Sequence, residues 1–437
     1  MKRQALAVML GLTVLVWIGA PAVARATGAV TRTRFPNGMT VLVRENPTAP
    51  VVAISLAVRM GTRWESRETA GISNFLQFMV VRGGTTSRSG IQIVRDAERL
   101  GGSIDAVGDV DSSEISATAL SRHWVALLEL VADVALHPSL PGGLIEGMRR
   151  FLLFQIRNRG EKPYSFAFDT LRQSLFGSHP YAWDRLGLPE SVKRIDRSAL
   201  IAHYRRHYVP GGMVLAVSGQ VRAPAVVAEA ERLFGSMPVA PPPAPPSVRL
   251  PAPAAWRAVN EVPGAQAQVL VGALAPLLTH PDYPAMKLLS TLLGGGMASR
   301  FFSELRDKQA LAYSTGMFYL PLLDAGYFVA QLGTAPENLR RAEGALLREL
   351  ERIRRQPPTA EEVRLAKAYL LGRFAMDRRT NARQARDLAS FELAGVGYEF
   401  LDRYVAAVRR LTAADIRRAA QSYLGTVRVS IARPPTR

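Results

Sequence analysis

Apolar residues recur along this chain with two periods, and the switches between them outline its elements. VVAISLAVRM (51–60) is an almost unbroken apolar run of strand length, and SSEISATAL (112–120) reads as another strand. FPNGMTVLV (35–43) joins the Asn-Gly turn of a hairpin to an alternating strand. Helical spacing predicts helices over 71–80, 91–100, 123–136 and 143–159. Further on, AQAQVLVGAL and GYFVAQLG read as strands and YPAMKLLSTLL as a helix, while Thr359 and Glu362 open a long helix with a capping box. Adjacent strands interspersed with helices predict an α+β fold, a mostly antiparallel sheet covered by helices on one face.

Between Pro238 and Pro253 the pattern stops, and half of the residues are proline (PVAPPPAPPSVRLPAP). Such a run continues neither a helix nor a central strand and favours an extended spacer. It divides the chain into a domain over 27–237, a linker over 238–254 and a domain over 255–437. The halves resemble each other. IDRSALIAHYRRHYVPGGMVLAVSG (195–219) is a helical pattern reaching Tyr208 and then a strand; LTAADIRRAAQSYLGTVRVSIARP (411–434) is a helical pattern reaching Tyr423 and then a strand. This match suggests a duplication.

At the N-terminus, Lys2 and Arg3 precede the apolar run ALAVMLGLTVLVWIGA, followed by Pro21 and Ala24-Arg25-Ala26. The pattern predicts a secretory signal peptide over 1–26 and a periplasmic chain; an uncleaved inner-membrane anchor is the alternative. Cysteine is absent, so export brings no disulfides and no thiolate metal site. The formal charge of +19 falls to +16 without Lys2, Arg3 and Arg25, but arginines are scattered rather than clustered, which argues against a nucleic-acid partner.

GISNFLQFMV (71–80) has the frame of an active-site helix, with Asn74 and Gln77 at polar positions, yet nothing in it holds a metal well. By itself it is an amphipathic helix with Phe75, Leu76 and Phe78 in a core. His203 and His207 stand at i and i+4 without a nearby acid to complete a metal set, and read as partly exposed; His123, His137, His179 and His280 are isolated. In LLGGGMASRFFSELRDKQALAYS (292–314), three glycines exceed what a helix cap needs and suit a mobile loop or a close backbone approach to a peptide.

Taken in order, FPNGMTVLV, GTRWESRETAGISNFLQFMVVRGG, AERLGGSIDA, LHPSLP, FGSHPYAWDRLG and the glycine stretch resemble the inverted-zincin peptidases: pitrilysin, insulin-degrading enzyme and the mitochondrial processing peptidases. The resemblance spans essentially all of 27–437. It implies two homologous domains forming half of a clamshell. Active members carry H-x-x-E-H, whose i and i+4 imidazoles hold zinc while the glutamate activates bound water. Here the matching positions are Asn74, Gln77 and Phe78, with Gln155 in place of a later glutamate ligand. The resemblance therefore implies that this chain binds no metal, has no catalytic residue of its own, and has a homologous exported partner with an intact motif and zinc. It also implies that Arg306 and Tyr313, with Gly294, Gly295 and Gly296, hold peptide substrate in that partner's site. Guanidinium and phenol are suitable donors for a carbonyl or developing oxyanion. Arg306 and Tyr313 lie seven apart, which is two helical turns if the helix runs that far. A stand-alone peptide-binding or scaffolding protein of the envelope is the alternative.

Overall fold

The computed structural model describes residues 28–435; the expected signal peptide lies outside the described residues. The first half runs β1 (Val30–Arg34), β2 (Thr40–Glu45), β3 (Val51–Val58), α1 (Ile72–Arg82), α2 (Gly90–Arg99), β4 (Ser103–Gly108), β5 (Ser113–Leu120), α3 (Trp124–Leu136), α4 (Gly142–Gly160), α5 (Pro163–Phe176), α6 (Pro189–Arg194), α7 (Arg197–His207), β6 (Met213–Gly219) and α8 (Ala223–Phe234). The second runs β7 (Trp256–Glu261), β8 (Ala267–Ala275), α9 (Tyr283–Gly294), a π-helix (Phe302–Lys308), β9 (Ser314–Leu320), β10 (Gly326–Thr334), α10 (Leu339–Arg355), α11 (Ala360–Asp377), α12 (Asn381–Leu393), α13 (Phe400–Arg410), α14 (Ala413–Tyr423) and β11 (Arg428–Arg433).

The hairpin forms around Asn37-Gly38 because Gly38 takes φ +98°, a left-handed conformation that costs glycine little, and Asn37 Oδ1 accepts the Met39 amide. The first sheet has the order β1-β2-β6-β3-β5-β4 and the second β7-β11-β8-β10-β9. In each, the last strand of the half inserts beside the opening strands, parallel to one (β2 or β7) and antiparallel to the other (β3 or β8). The two sheets share this order once β1 is set aside, so the duplication suggested by one helix–strand unit extends to five strands.

Both faces of each sheet are buried, not one as expected. On β3, Val52, Ile54, Leu56 and Val58 face the core shared with α1 and α3. Ala53 and Ala57 point the other way, against Ala385, Leu388, Ala389 and Leu393. Those residues belong to α12, a second-half helix laid on the first sheet. Reciprocally, α5 of the first half lies on β8 and β11, with Leu171, Leu175 and Phe176 packed beside Leu270. This exchange explains why VVAISLAV reads as a continuous apolar run: a strand buried on both faces has no polar side to alternate with.

The proline-rich segment has no regular structure and is tied down along its length. Trp64 Nε1 donates to the Pro243 carbonyl at 3.0 Å, and Arg428 Nη2 reaches the Ala252 carbonyl at 3.3 Å.

Candidate functional site

α1 starts where Gly71 takes φ +93°, and its free amides are satisfied from outside the helix. The Glu65 carboxylate accepts Gly71 N at 2.8 Å and Ser73 N at 2.9 Å. Burial pushes the Glu65 carboxyl up, with those amides opposing. Gly108 of β4 lies so close that a Cβ there would be 2.8 Å from Asn74 Cα, which holds the helix against the sheet.

Asn74 and Gln77 are both buried, Gln77 completely. Tyr208 Oη donates to Gln77 Oε1 at 3.3 Å, but Gln77 Nε2 and Asn74 Nδ2 have no partner. The Phe78 ring meets the Phe151 ring of α4 edge-on at 6.1 Å, and the Arg82 guanidinium lies 5.4 Å from its centroid. Gln155 sits half-buried one turn further along α4. The zinc that active inverted-zincin peptidases hold at this helix would not fit these residues. Two buried amide NH₂ groups are donors, a phenyl ring ligates nothing, and a guanidinium beside the ring opposes a second cation. Among the described residues no group of three or more His, Asp or Glu is arranged to hold a metal ion.

α7 packs on the same helix. His203 Nε2 lies 3.0 Å from Ser73 Oγ, the His203 and His207 rings are 4.4 Å apart, and His207 Nδ1 donates to the Arg59 carbonyl at 2.9 Å. His207 is completely buried, not partly exposed as expected, because Trp64 and α1 close over it. Burial lowers its pKa to about 4 and puts that of His203 well below the usual histidine value. Both rings are therefore neutral near pH 7, and they fill the space behind α1. Of the other histidines, His280 accepts the Asp282 amide, His137 pairs with Asp133 and His123 accepts from Arg122 Nε, while His179 accepts the Tyr181 amide and its Nε2 lies 3.5 Å from Asp324 of the second half.

In the second half, α9 ends at Gly294, where a Cβ would sit 2.0 Å from Met317 N of β9. A Cβ at Gly296 would come within 3.1 Å of the Tyr369 ring of α11. The backbone approach at Gly294 requires glycine, whereas at Gly296 a side chain would need the Tyr369 ring to move by a few tenths of an ångström. Arg306 is exposed on the π-helix, its guanidinium 4.9 Å from the Phe302 centroid. The helix stops at Lys308 and the chain passes through Ala310 at φ +51°, so Arg306 and Tyr313 do not share a helix. Tyr313 instead leads into β9, its amide bonded to the Gly333 carbonyl and its side chain 60% exposed. Gly294 packs against Gly316 and Met317 just beyond it, which brings the glycine segment to the start of the strand that Tyr313 precedes.

Arg300, in the same stretch, carries no distinguishing signal in the sequence. Its Nε and Nη2 bind the two Glu362 oxygens at 2.5 and 3.0 Å. Burial pushes the Glu362 carboxyl up, but Arg300 and the Thr359 amide outweigh that and hold it at about 2. Glu362 is legible in sequence as the end of a capping box; its second role depends on where α11 lies. Between the halves, Arg63 forks onto Asp324 while Asp111 accepts from Tyr181 Oη and the Leu323 amide.

Residues 40–187 match the family model described as insulinase (peptidase family M16), and residues 194–370 match the peptidase M16 inactive domain. The degenerate helix falls inside the first match and the Arg306–Tyr313 segment inside the second. An uncharacterized zinc protease of Mycobacterium tuberculosis is 26% identical over 92% of this chain and 93% of that one; another of Rickettsia felis is 26% identical over 85% and 88%. Among solved structures, a peptidase M16 inactive domain from Pseudomonas fluorescens superposes with a TM-score of 0.87 at 23% identity, covering 93% of this chain and 98% of that one. A protease from Helicobacter pylori superposes with the same score at 21% identity, over 93% and 100%. The two models match consecutive stretches and the relatives nearly the full length, so the chain belongs to the insulinase family of peptidases, M16.

Proposed function

We propose that this chain is the non-catalytic subunit of a heterodimeric zinc peptidase of the bacterial periplasm, lending Arg306, Tyr313 and Gly294–Gly296 to the active site of a homologous exported partner. One asymmetry supports the reading. At the positions matching the family's zinc site the first half carries Asn74, Gln77, Phe78 and Gln155, poor ligands or none, while the second half leaves Arg306 and Tyr313 exposed with no side-chain acceptor engaged. A guanidinium and a phenol free to donate suit the holding of a peptide carbonyl near the bond to be cut. A peptide held by these donors is cut only opposite a metal site, and the side chains of this chain's own α1 are unsuited to one.

The test co-expresses the chain with a candidate partner carrying H-x-x-E-H, confirms assembly by size exclusion, and follows peptide cleavage. Arg306→Ala or Tyr313→Phe is expected to slow turnover on the order of a hundredfold, the typical effect of losing one oxyanion-type donor, while assembly and the partner's zinc stay intact. Purified alone, the chain is expected to bind no stoichiometric zinc and cleave no peptide. Full activity of both variants in an intact complex rejects the shared site and leaves a peptide-binding or scaffolding role.

A further inference from the structure

The first sheet ends at β1, which pairs only with β2. Phe35 N donates to the Met39 carbonyl at 2.9 Å, and bonded pairs alternate along an antiparallel ladder, so Thr33 and Thr31 bond Val41 and Val43. Val30, Arg32 and Arg34 therefore turn their N–H and C=O groups away from the sheet, and among the described residues no hydrogen bond reaches those groups. The two faces of β1 differ. Arg32 and Arg34 lie on the α12 side, where Arg32 bonds Glu392 through Nε alone and Arg34 is exposed, in no ion pair among the described residues. Thr31 and Thr33 lie on the α8 side and line a groove of about 860 Å³, walled opposite by Val221, Pro224, Val227 and Ala228.

We propose that β1 is a docking edge for an extended segment of another polypeptide, in which acidic residues alternate with valine-sized apolar ones. Outward N–H and C=O groups at every second residue are matched by the main chain of a further strand. Directly opposed residues of neighbouring strands share a face, so the ligand residues opposite Arg32 and Arg34 meet guanidinium groups, and acids suit them. The residues between lie on the α8 face. There the short side chains of Thr31 and Thr33 leave the groove unfilled, and a strand about 4.8 Å further out leans its own side chains into it. Glu45 and Glu231 border the groove, which keeps acids off that row. β-Branched apolar residues fit the row and favour an extended backbone. Charge decides against a second copy of this chain. Two β1 strands side by side set arginine near arginine, and the full sequence carries +19. The edge lies across the sheet from β4, against which α1 packs, and owes nothing to Arg306 or Tyr313.

The experiment follows binding of fluorophore-labelled acetyl-Thr-Glu-Val-Glu-Val-Thr-amide to the chain over 27–437 by anisotropy at low salt. Replacing both glutamates by lysine, or both valines by glycine, is expected to weaken binding at least tenfold. Only alternate N–H groups of a paired strand face its neighbour. N-methylating the two glutamates or the two valines is therefore expected to abolish binding in one case and spare it in the other. Arg34→Glu, at an exposed position, is expected to reverse the preference between the glutamate and lysine peptides. Arg32→Pro removes an outward N–H without touching the β2 ladder, and is expected to weaken the glutamate peptide several-fold further than Arg32→Ala does. Equal binding of the glutamate and lysine peptides overturns the proposal, as does full binding of both methylated peptides. A dimer of the chain on size exclusion that Arg32→Pro dissolves overturns it in favour of a second copy. If no peptide binds, the docking edge is overturned while the subunit proposal stands or falls separately on the Arg306 and Tyr313 turnover measurements.

Discussion

His207 shows how a residue whose type and spacing are plain in the sequence can still be misplaced, buried where partial exposure was expected. Its Nδ1 is committed to the Arg59 carbonyl, and burial holds its pKa at about 4 against an ordinary 6.5. Between those values the unfolded chain binds more protons at this position than the folded one. The contribution is therefore lost as pH falls from 6.5 towards 4. Replacing it by glutamine keeps a possible donor for Arg59 and removes the titration. The stability difference between wild type and His207→Gln is expected to shift by about 2–3 kcal/mol between pH 7 and pH 4 in favour of the variant. Urea unfolding at both pH values measures it, and the subtraction cancels Asp111, which burial pushes up to about 6 so that its own contribution runs the opposite way. A constant difference would show that the ring is not buried as described.

Glycines in two helices separate the cost of close packing from that of a flexible backbone. Gly294 closes α9 with backbone of β9 where its Cβ would be, so Gly294→Ala forces strand and helix apart. That overpacking is expected to cost about 3 kcal/mol and to lower the unfolding midpoint. Gly147 lies exposed inside α4 with nothing within 4 Å of the place a methyl group would take, and its φ is not left-handed. There alanine removes only unfolded-state freedom, and Gly147→Ala is expected to stabilise the chain by about 0.5–1 kcal/mol. Thermal or urea unfolding of both variants checks the opposite signs; a harmless Gly294→Ala would mean that the junction yields.

For the whole molecule, the exchange of α5 and α12 makes each half incomplete without the other. A first half ending in the proline-rich segment would expose Leu42, Ala53, Ala57, Val214 and Ala216, the face that α12 covers. Further bonds cross between the halves: Asn46 to Asn381, Arg59 to the Leu393 carbonyl, and Arg63 to Asp324. Residues 27–247 expressed alone are therefore expected to aggregate, and the same fragment co-expressed with 248–437 to co-purify as a one-to-one complex. Size exclusion after co-expression decides it; a soluble, cooperatively folding first fragment would show that the α12 contact is dispensable.

Local patterns carried much of this in the sequence. The Asn37-Gly38 hairpin, the capping box from Thr359 to Glu362 and the paired endings at Tyr208 and Tyr423 follow from near neighbours, whose chemistry acts over a few residues. The comparison of Asn74, Gln77, Phe78 and Gln155 with a zinc site came instead from the family resemblance, which supplies the positions to compare; their side chains are poor zinc ligands or none. Strand order, the reciprocal helices and the burial of His207 did not follow from near neighbours, because each depends on contacts between residues far apart in the chain. The end of the helix after Lys308 was equally hidden: nothing nearby breaks a helical pattern until Ala310 turns left-handed to bring Tyr313 to Gly333. Arg300 became visible as a buried, half-satisfied guanidinium only when α11 placed Glu362 beside it. Composition and spacing determine which chemistry is possible, but long-range packing decides which groups meet and which donor is left unpaired.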